Sequence, residues 1–193
     1  MMSRLLRNAD HRRMPWKNGG GETVEVIVHP EGASLSDFGW RVSMAGVASD
    51  GPFSVFPGID RTLAVLTGDG MELSIEGLGE RLLTPQSAPL PFPADAPTSA
   101  RLPGGPITDL NVMTRRGVFR HTLVHHIATG AKALPASSGQ RLLLALEPLG
   151  VSTVDGLTGL QPLDALLLGG AEAAEVVPAG ENAAFYLVEI APV

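Results

Sequence analysis

The sequence predicts an all-β protein made of two small jelly-roll-like β-barrels packed in one compact unit. Three observations predict it. Short apolar segments with two-residue alternation recur along the chain, separated by turn-forming clusters. No segment sustains a long helical period. A weak internal repeat relates the two halves. The 193 residues include 23 Gly and 16 Pro without a G-X-Y period, which reads as many turns between short strands. Hydrophobic residues make up 44% and charged residues 18%, enough apolar material for a real core.

In chain order, Thr23–His29 alternates and places Val24, Val26 and Val28 on one face. Trp40–Val47 places Trp40, Val42 and Met44 on one side, Arg41 and Ser43 on the other. Leu63–Leu66 reads as a buried strand, and Gly68-Asp69-Gly70 as a hairpin turn into Met71–Ile75. Further strands are expected at Arg81–Leu83, Leu90–Phe92, Ala100–Leu102 and Ile107–Thr114. The second half offers Phe119–Ile127, Arg141–Leu146, Ser152–Val154, Leu157–Leu160, Ala165–Leu168, Glu175–Val177 and Ala183–Ile190, with Asp155-Gly156 as a hairpin signal. Ala171–Ala174 has some helix propensity, but Gly169, Gly170 and Pro178 confine it.

The repeat sets Leu63–Gly79 against Leu142–Thr158, and Ile107–Met113 against Ala183–Val188. It implies a first barrel over residues 1–118, including an N-terminal segment and the candidate ligand site, and a second, degenerate barrel over 119–193. Each is small for a self-sufficient core.

Charge and composition exclude several functions. The net charge is −6, and no basic stripe is present to neutralise nucleic-acid phosphates. With no cysteine, disulfides, thiolate catalysis and zinc–thiolate sites are excluded. The opening Met1–Arg7 lacks the apolar run of a signal peptide, and no apolar stretch reaches the ~18 residues of a membrane span. The expectation is a cytoplasmic protein with no membrane partner.

Four polar constellations stand out, all in the first half. Around Trp16-Lys17-Asn18-Gly19-Gly20-Gly21-Glu22-Thr23, three glycines read either as an anion cradle or as a flexible connector; no P-loop pattern is present. Arg41 and Ser43 share one strand face, which is either solvated or turned to a cavity. Phe53-Ser54-Val55-Phe56-Pro57-Gly58-Ile59-Asp60-Arg61 suggests an aromatic-lined turn, with Arg61 beside a buried strand or paired with Asp60 at the surface. Finally, Asp109, Asn111, Met113 and Arg115 fall on one face of Ile107–Arg115, with Leu110 and Val112 on the other. Such a polar stripe lines either solvent or a ligand-holding barrel. The matching strand at Ala183–Val188 is apolar, which places a single site in the first unit.

The five histidines, His11, His29, His121, His125 and His126, form no H-x-H pair. His121 and His125 lie four apart on a strand, too far for easy joint ligation. No metal and no other cofactor are expected, and no nucleophile motif is present.

Together these segments resemble the HutD/Ves family, bicupin proteins encoded with bacterial histidine-utilisation enzymes. The resemblance rests on Trp16–Thr23, Trp40–Ala45, Phe53–Thr62 and Asp109–Arg115, in family order, over roughly residues 12–120. It implies a bicupin without the usual metal ligands, acting in histidine breakdown as a binder of urocanate or N-formylglutamate and as a brake on the pathway.

The leading expectation is therefore a small-molecule binding protein. Arg41 and Arg61 would clamp a carboxylate bidentately. Asn18 and Asn111 would read the rest of the ligand, Gly19 and Gly20 would add backbone donors, and Thr23, Ser43, Phe56, Met113 and Arg115 would complete the site. The alternative is a metal-independent cupin enzyme, an isomerase or hydrolase, with Glu22 or Asp109 as general base. A third reading is a protein-interaction role, and a symmetric homodimer is compatible with each case.

Overall fold

The computed structural model describes residues 3–17 and 19–193. Asn18 lies outside the described residues. The chain forms nineteen strands, one 3₁₀ turn (Asn8–Asp10) and no α-helix among the described residues. In order, β1 is Arg4–Leu6, β2 Arg12–Pro15, β3 Gly21–His29, β4 Trp40–Val47, β5 Gly51–Pro52 and β6 Ile59–Thr67. Then come β7 Met71–Ile75, β8 Gly79–Leu83, β9 Leu90–Pro93, β10 Thr98–Arg101 and β11 Ile107–Arg115. The rest are β12 Phe119–Ala128, β13 Lys132–Leu134, β14 Gln140–Ala145, β15 Leu149–Thr153, β16 Gly156–Leu160, β17 Ala165–Leu168, β18 Ala174–Pro178 and β19 Ala183–Pro192.

Two compact units result. One spans Arg12–Arg120 with Val193; the other holds the described residues through His11 together with His121–Pro192. The structure thus divides the chain differently from the expected 1–118 and 119–193. The start of the chain goes with the C-terminal unit, because Arg4–Leu6 pairs antiparallel with Ala165–Leu167.

The Arg12–Arg120 unit has a six-stranded sheet, β2-β3-β4-β11-β6-β9, and a four-stranded sheet, β5-β10-β7-β8. From β4 to β11 successive strands switch between the sheets in jelly-roll order, except at the β7–β8 hairpin, which stays within the four-stranded sheet. Inward residues of both sheets make one core: Ala45, Val47, Leu63, Val65, Met71, Leu73, Ile75, Leu83, Phe92, Ala100 and Ile107. The other unit repeats the plan. Its five-stranded sheet runs β1-β17-β14-β19-β12 and its four-stranded sheet β13-β18-β15-β16, so β12 to β19 take the places of β4 to β11 one for one. Its core is built from Leu143, Ala145, Leu149, Val151, Leu166, Leu168, Val176 and Phe185, among others. In both units the sheets face each other without closing into a continuous hydrogen-bonded barrel.

Three local readings change. A bulge in β3 between Glu25 and Ile27 shifts its register on β4. Val24 then lies opposite Met44 while Val28 lies opposite Arg41, on the other face, so Val24 and Val28 do not share a side. The turn at Gly68–Gly70 carries the chain from one sheet to the other; Met71–Ile75 pairs with β8 and β10, not with β6. Asp155-Gly156 does close a hairpin, between β15 and β16. Gly21 is fixed by space: a Cβ there would lie 2.1 Å from the Gly46 carbonyl oxygen.

Candidate functional site

The inner face of the six-stranded sheet is where the polar residues converge. Strand register stacks them in rows. One row runs Thr23, Ala45, Asp109, Val65; the next Glu25, Ser43, Asn111, Leu63; the third Arg41, Met113, Arg61, Phe92. Because strand side chains alternate, the even-numbered neighbours Trp40, Val42, Met44, Leu110 and Val112 are buried on the opposite face. The inner rows border a cavity of about 740 Å³. That is in the range of small-molecule sites.

Arg41 is 5% exposed and is already partnered: its Nε donates to Glu25 Oε2 at 2.7 Å and its Nη1 to Ser43 Oγ at 3.4 Å. Arg61 is equally buried but poorly satisfied. Among the described residues its single hydrogen bond is a long one, Nη2 to the Ser54 carbonyl at 3.5 Å, and its Nε has no partner. Three phenylalanine rings frame its guanidinium, with centroids 5.2 Å (Phe53), 5.5 Å (Phe56) and 5.7 Å (Phe92) away. The quadrupoles of these rings favour the cation. Burial lowers the Arg61 pKa to about 10, with Asp109 opposing and Arg41 adding to the shift. The guanidinium stays charged at neutral pH.

Asp109 is 1% exposed in the same wall. Burial pushes its pKa up to about 7, against the pull of Arg61 and of hydrogen bonds from the Ala45 backbone and the Asn111 side chain. At the cavity's edge, Trp16 Nε1 donates to Thr23 Oγ1 at 2.8 Å, and Lys17, Leu35 and Asp50 form the rim.

Of the sequence-selected residues, Thr23, Arg41, Ser43, Phe56, Arg61, Asn111 and Met113 border this cavity, as does Asp109. Gly19 and Gly20 do not. The Gly19 amide closes a turn onto the Trp16 carbonyl at 3.1 Å, and the Gly20 carbonyl accepts from Ala48. Arg115 also lies elsewhere: at the strand's end it donates to the Phe38 and Ser36 carbonyls and holds the 34–38 loop. Glu22 is half-exposed in a pair with Arg13 at 2.9 Å, away from the cavity. The surface pairing considered for Arg61 does not occur; Asp60 instead binds Arg116 at 2.8 Å. Reading the sequence missed Glu25 and Phe53 as site residues. The alternation of β3 could have found Glu25, which shares the inward side of Thr23.

The second unit offers a contrast at the corresponding position. Arg141 lies near the start of β14 as Arg61 lies near the start of β6, and both are followed two residues on by a core leucine, Leu143 and Leu63. The terminal nitrogens of Arg141 are held by loop carbonyls, Leu134 at 3.1 Å, Pro135 at 2.7 Å, Gly169 at 3.4 Å, and Glu172, while its Nε, like that of Arg61, has no partner among the described residues. Glu189 lies opposite Arg141 on β19, but the other two rows lose their polar groups there: Phe185 and Leu187 stand on β19 where β11 has Asp109 and Asn111.

Two jelly rolls in tandem, the first with a polar cavity, define a bicupin. The chain belongs to the HutD family, whose profile matches residues 8–186. It is 46% identical over 141 residues to an uncharacterized 21.2 kDa protein from the hutC 3′ region of Pseudomonas putida, covering 73% of this chain and 72% of that one. It is 40% identical over 112 residues to Protein Ves of Citrobacter koseri, covering 55% and 56%. Among solved structures, a conserved protein of unknown function from Pseudomonas aeruginosa PAO1 superposes with a TM-score of 0.90 at 31% identity, covering 98% of this chain and 99% of that one. HutD from Pseudomonas fluorescens SBW25, in a formate condition, gives 0.83 at 30% identity and full coverage of both chains. No helix among the described residues is long and apolar enough to cross a membrane.

Proposed function

We propose that this protein binds a small carboxylate metabolite of histidine breakdown, urocanate or N-formylglutamate, in the cavity of its first unit and thereby modulates the pathway. The observation that carries the reading is the state of Arg61. It is buried and ringed by three phenylalanines, with its Nε unpartnered among the described residues. A buried donor left unpaired costs on the order of 1–3 kcal/mol, and more when charged. A carboxylate in the cavity offsets that cost with charge-assisted hydrogen bonds. The hut-region location of the P. putida relative and the formate condition of the P. fluorescens structure are consistent with it. Asn111 and Ser43 supply polar contacts to the remainder of the ligand, and the phenylalanines supply an apolar wall. The role requires no metal or other cofactor. It suits a cytoplasmic protein, as a monomer or a symmetric dimer.

A thermal-shift panel of urocanate, N-formylglutamate, histidine, glutamate and formate tests the reading. A ligand at 100 times its Kd adds about 2.7 kcal/mol of stability. A shift with one pathway carboxylate, absent in Arg61→Met, supports the role. No shift from any of the five contradicts it.

One observation favours a second reading, a metal-independent enzyme. A carboxyl group with a pKa of about 7 inside a cavity is poised for general acid–base work. Turnover of either intermediate by the pure protein, lost in Asp109→Asn, would establish it. Glu22 has no place in that mechanism, because its side chain pairs with Arg13 outside the cavity.

A further inference from the structure

The charges around the cavity come in compensating sets. Arg41 is paired with Glu25, and Arg61 shares the buried wall with Asp109. In register Asp109 lies between Ala45 of β4 and Val65 of β6, with Thr23 of β3 beyond Ala45; of the charged groups on this wall Arg61 of β6 acts on it electrostatically, Glu25 of β3 and Arg41 of β4 lie one and two rows further along, and Lys17 and Asp50 stand at the exposed rim. Asp50 is occupied by the Leu102 amide at 2.8 Å. No histidine among the described residues borders the cavity. Asp109 accepts a side-chain hydrogen bond from Asn111 on its own strand and makes none with Arg61. The wall around Arg61 is thus electrically balanced before any anion arrives. A carboxylate docking on Arg61 would put two carboxyl groups beside one buried guanidinium, and like charges sharing such a site do not both stay ionised at neutral pH.

We infer that Asp109 makes ligand binding proton-coupled: a carboxylate enters onto Arg61 together with one proton, which Asp109 takes up, so that the loaded cavity stays charge-neutral. The ligand then meets Asp109 as an O–H donor as well as an acceptor, which favours an oxygen or unprotonated ring nitrogen at that end of the molecule. This rests on the carboxylate-binding reading above. It assigns Asp109 the role of a specificity-determining group for an anion.

Calorimetric titration with formate, in buffers of different ionisation enthalpy, measures the proton directly. The expected result at about pH 8 is uptake approaching one proton per formate bound. The Kd should rise about tenfold per pH unit above about pH 7 and level off below it. Asp109→Asn should bind formate with no proton uptake and a flat pH profile. Infrared difference spectra of the wild type need no variant. With carbon-13 formate, whose own bands are displaced, binding should bring up the carbonyl band of a protonated carboxylic side chain. Formate binding without proton exchange overturns this inference and leaves the Arg61 reading standing. Absence of binding by formate at any pH from about 5 to 8 overturns both.

Discussion

Arg61 and Arg141 hold corresponding places in two copies of one jelly roll, and the Nε of each is unpartnered among the described residues, yet only Arg141 has both terminal guanidinium nitrogens held by several carbonyls. Four backbone carbonyls surround Arg141, whereas Arg61 has one long bond to Ser54 and three aromatic neighbours. The same residue type, placed alike by the fold, is a loop anchor in one unit and faces an open cavity in the other.

Substitution should separate these roles. Arg141→Met strands several buried carbonyls and should destabilise the protein by about 3 kcal/mol or more while leaving ligand affinity unchanged. Arg61→Met should cost little stability and weaken carboxylate binding by about 2–3 kcal/mol, roughly 30- to 150-fold. Paired denaturation and calorimetric titrations of the two variants check this. Equal effects of both substitutions on binding would contradict it.

Asp109 has a folded pKa raised to about 7, well above its value in the unfolded chain. Between those two values the folded state holds the extra proton, so this group's contribution favours folding at low pH and is lost as pH rises from about 4 to about 7. The gap between those two pH values corresponds to roughly 4 kcal/mol as an upper bound. Asp109→Asn should therefore be more stable than the wild type at about pH 8, with the difference shrinking toward pH 4. Chemical denaturation across that range reads it directly.

The Arg41–Glu25 pair is buried on both sides, with side-chain exposures of 6% and 12%. Removing Glu25 leaves the buried Arg41 without its carboxylate, and removing Arg41 leaves Glu25 only the exposed Arg12 at 4.0 Å. Arg41→Ala or Glu25→Ala alone should cost about 3–5 kcal/mol, and the double change Arg41→Met with Glu25→Leu should recover much of it. A double-mutant cycle by urea unfolding measures the coupling.

Asp164 fastens the start of the chain to the C-terminal unit. Burial opposes its ionisation. The Asn8 and Gln161 amides and Arg7 at 2.7 Å outweigh that and hold its pKa below the ordinary carboxylate value. Its contribution is present above the unfolded pKa and is lost as pH falls through the folded one. Asp164→Asn should speed hydrogen exchange at the β1 and β17 amides at neutral pH, and the wild type should approach that behaviour on acidification. Unchanged exchange in the variant would remove Asp164 from this role.

Much of the fold was legible because its signals are local. The alternation in Trp40–Val47 and Ile107–Arg115 and the turn signal at Asp155-Gly156 depend only on neighbouring residues, and the repeat matched β6 with β14 and β11 with β19. The short strands β1, β2, β5 and β13 were not legible, because two to four residues carry no period. The β3 bulge was hidden for the same reason: one extra residue leaves the composition unchanged and flips every side chain after it. At the site, the inward stripe of Asp109, Asn111 and Met113 followed from period two. Arg115 belongs to the same stripe but lies at the strand end, where it is taken by the carbonyls of Phe38 and Ser36. The glycines at 19 and 20 suggested free backbone donors, but the turn uses the Gly19 amide itself.

The central claim is that Arg61 receives a carboxylate from the histidine-breakdown pathway. Calorimetric titration of the wild type and Arg61→Met with urocanate and with N-formylglutamate at fixed pH tests it most directly. The account predicts saturable one-site binding of at least one of the two by the wild type and a loss of roughly 30-fold or more in the variant. Equal affinity in the two proteins, or no binding by either, would contradict it.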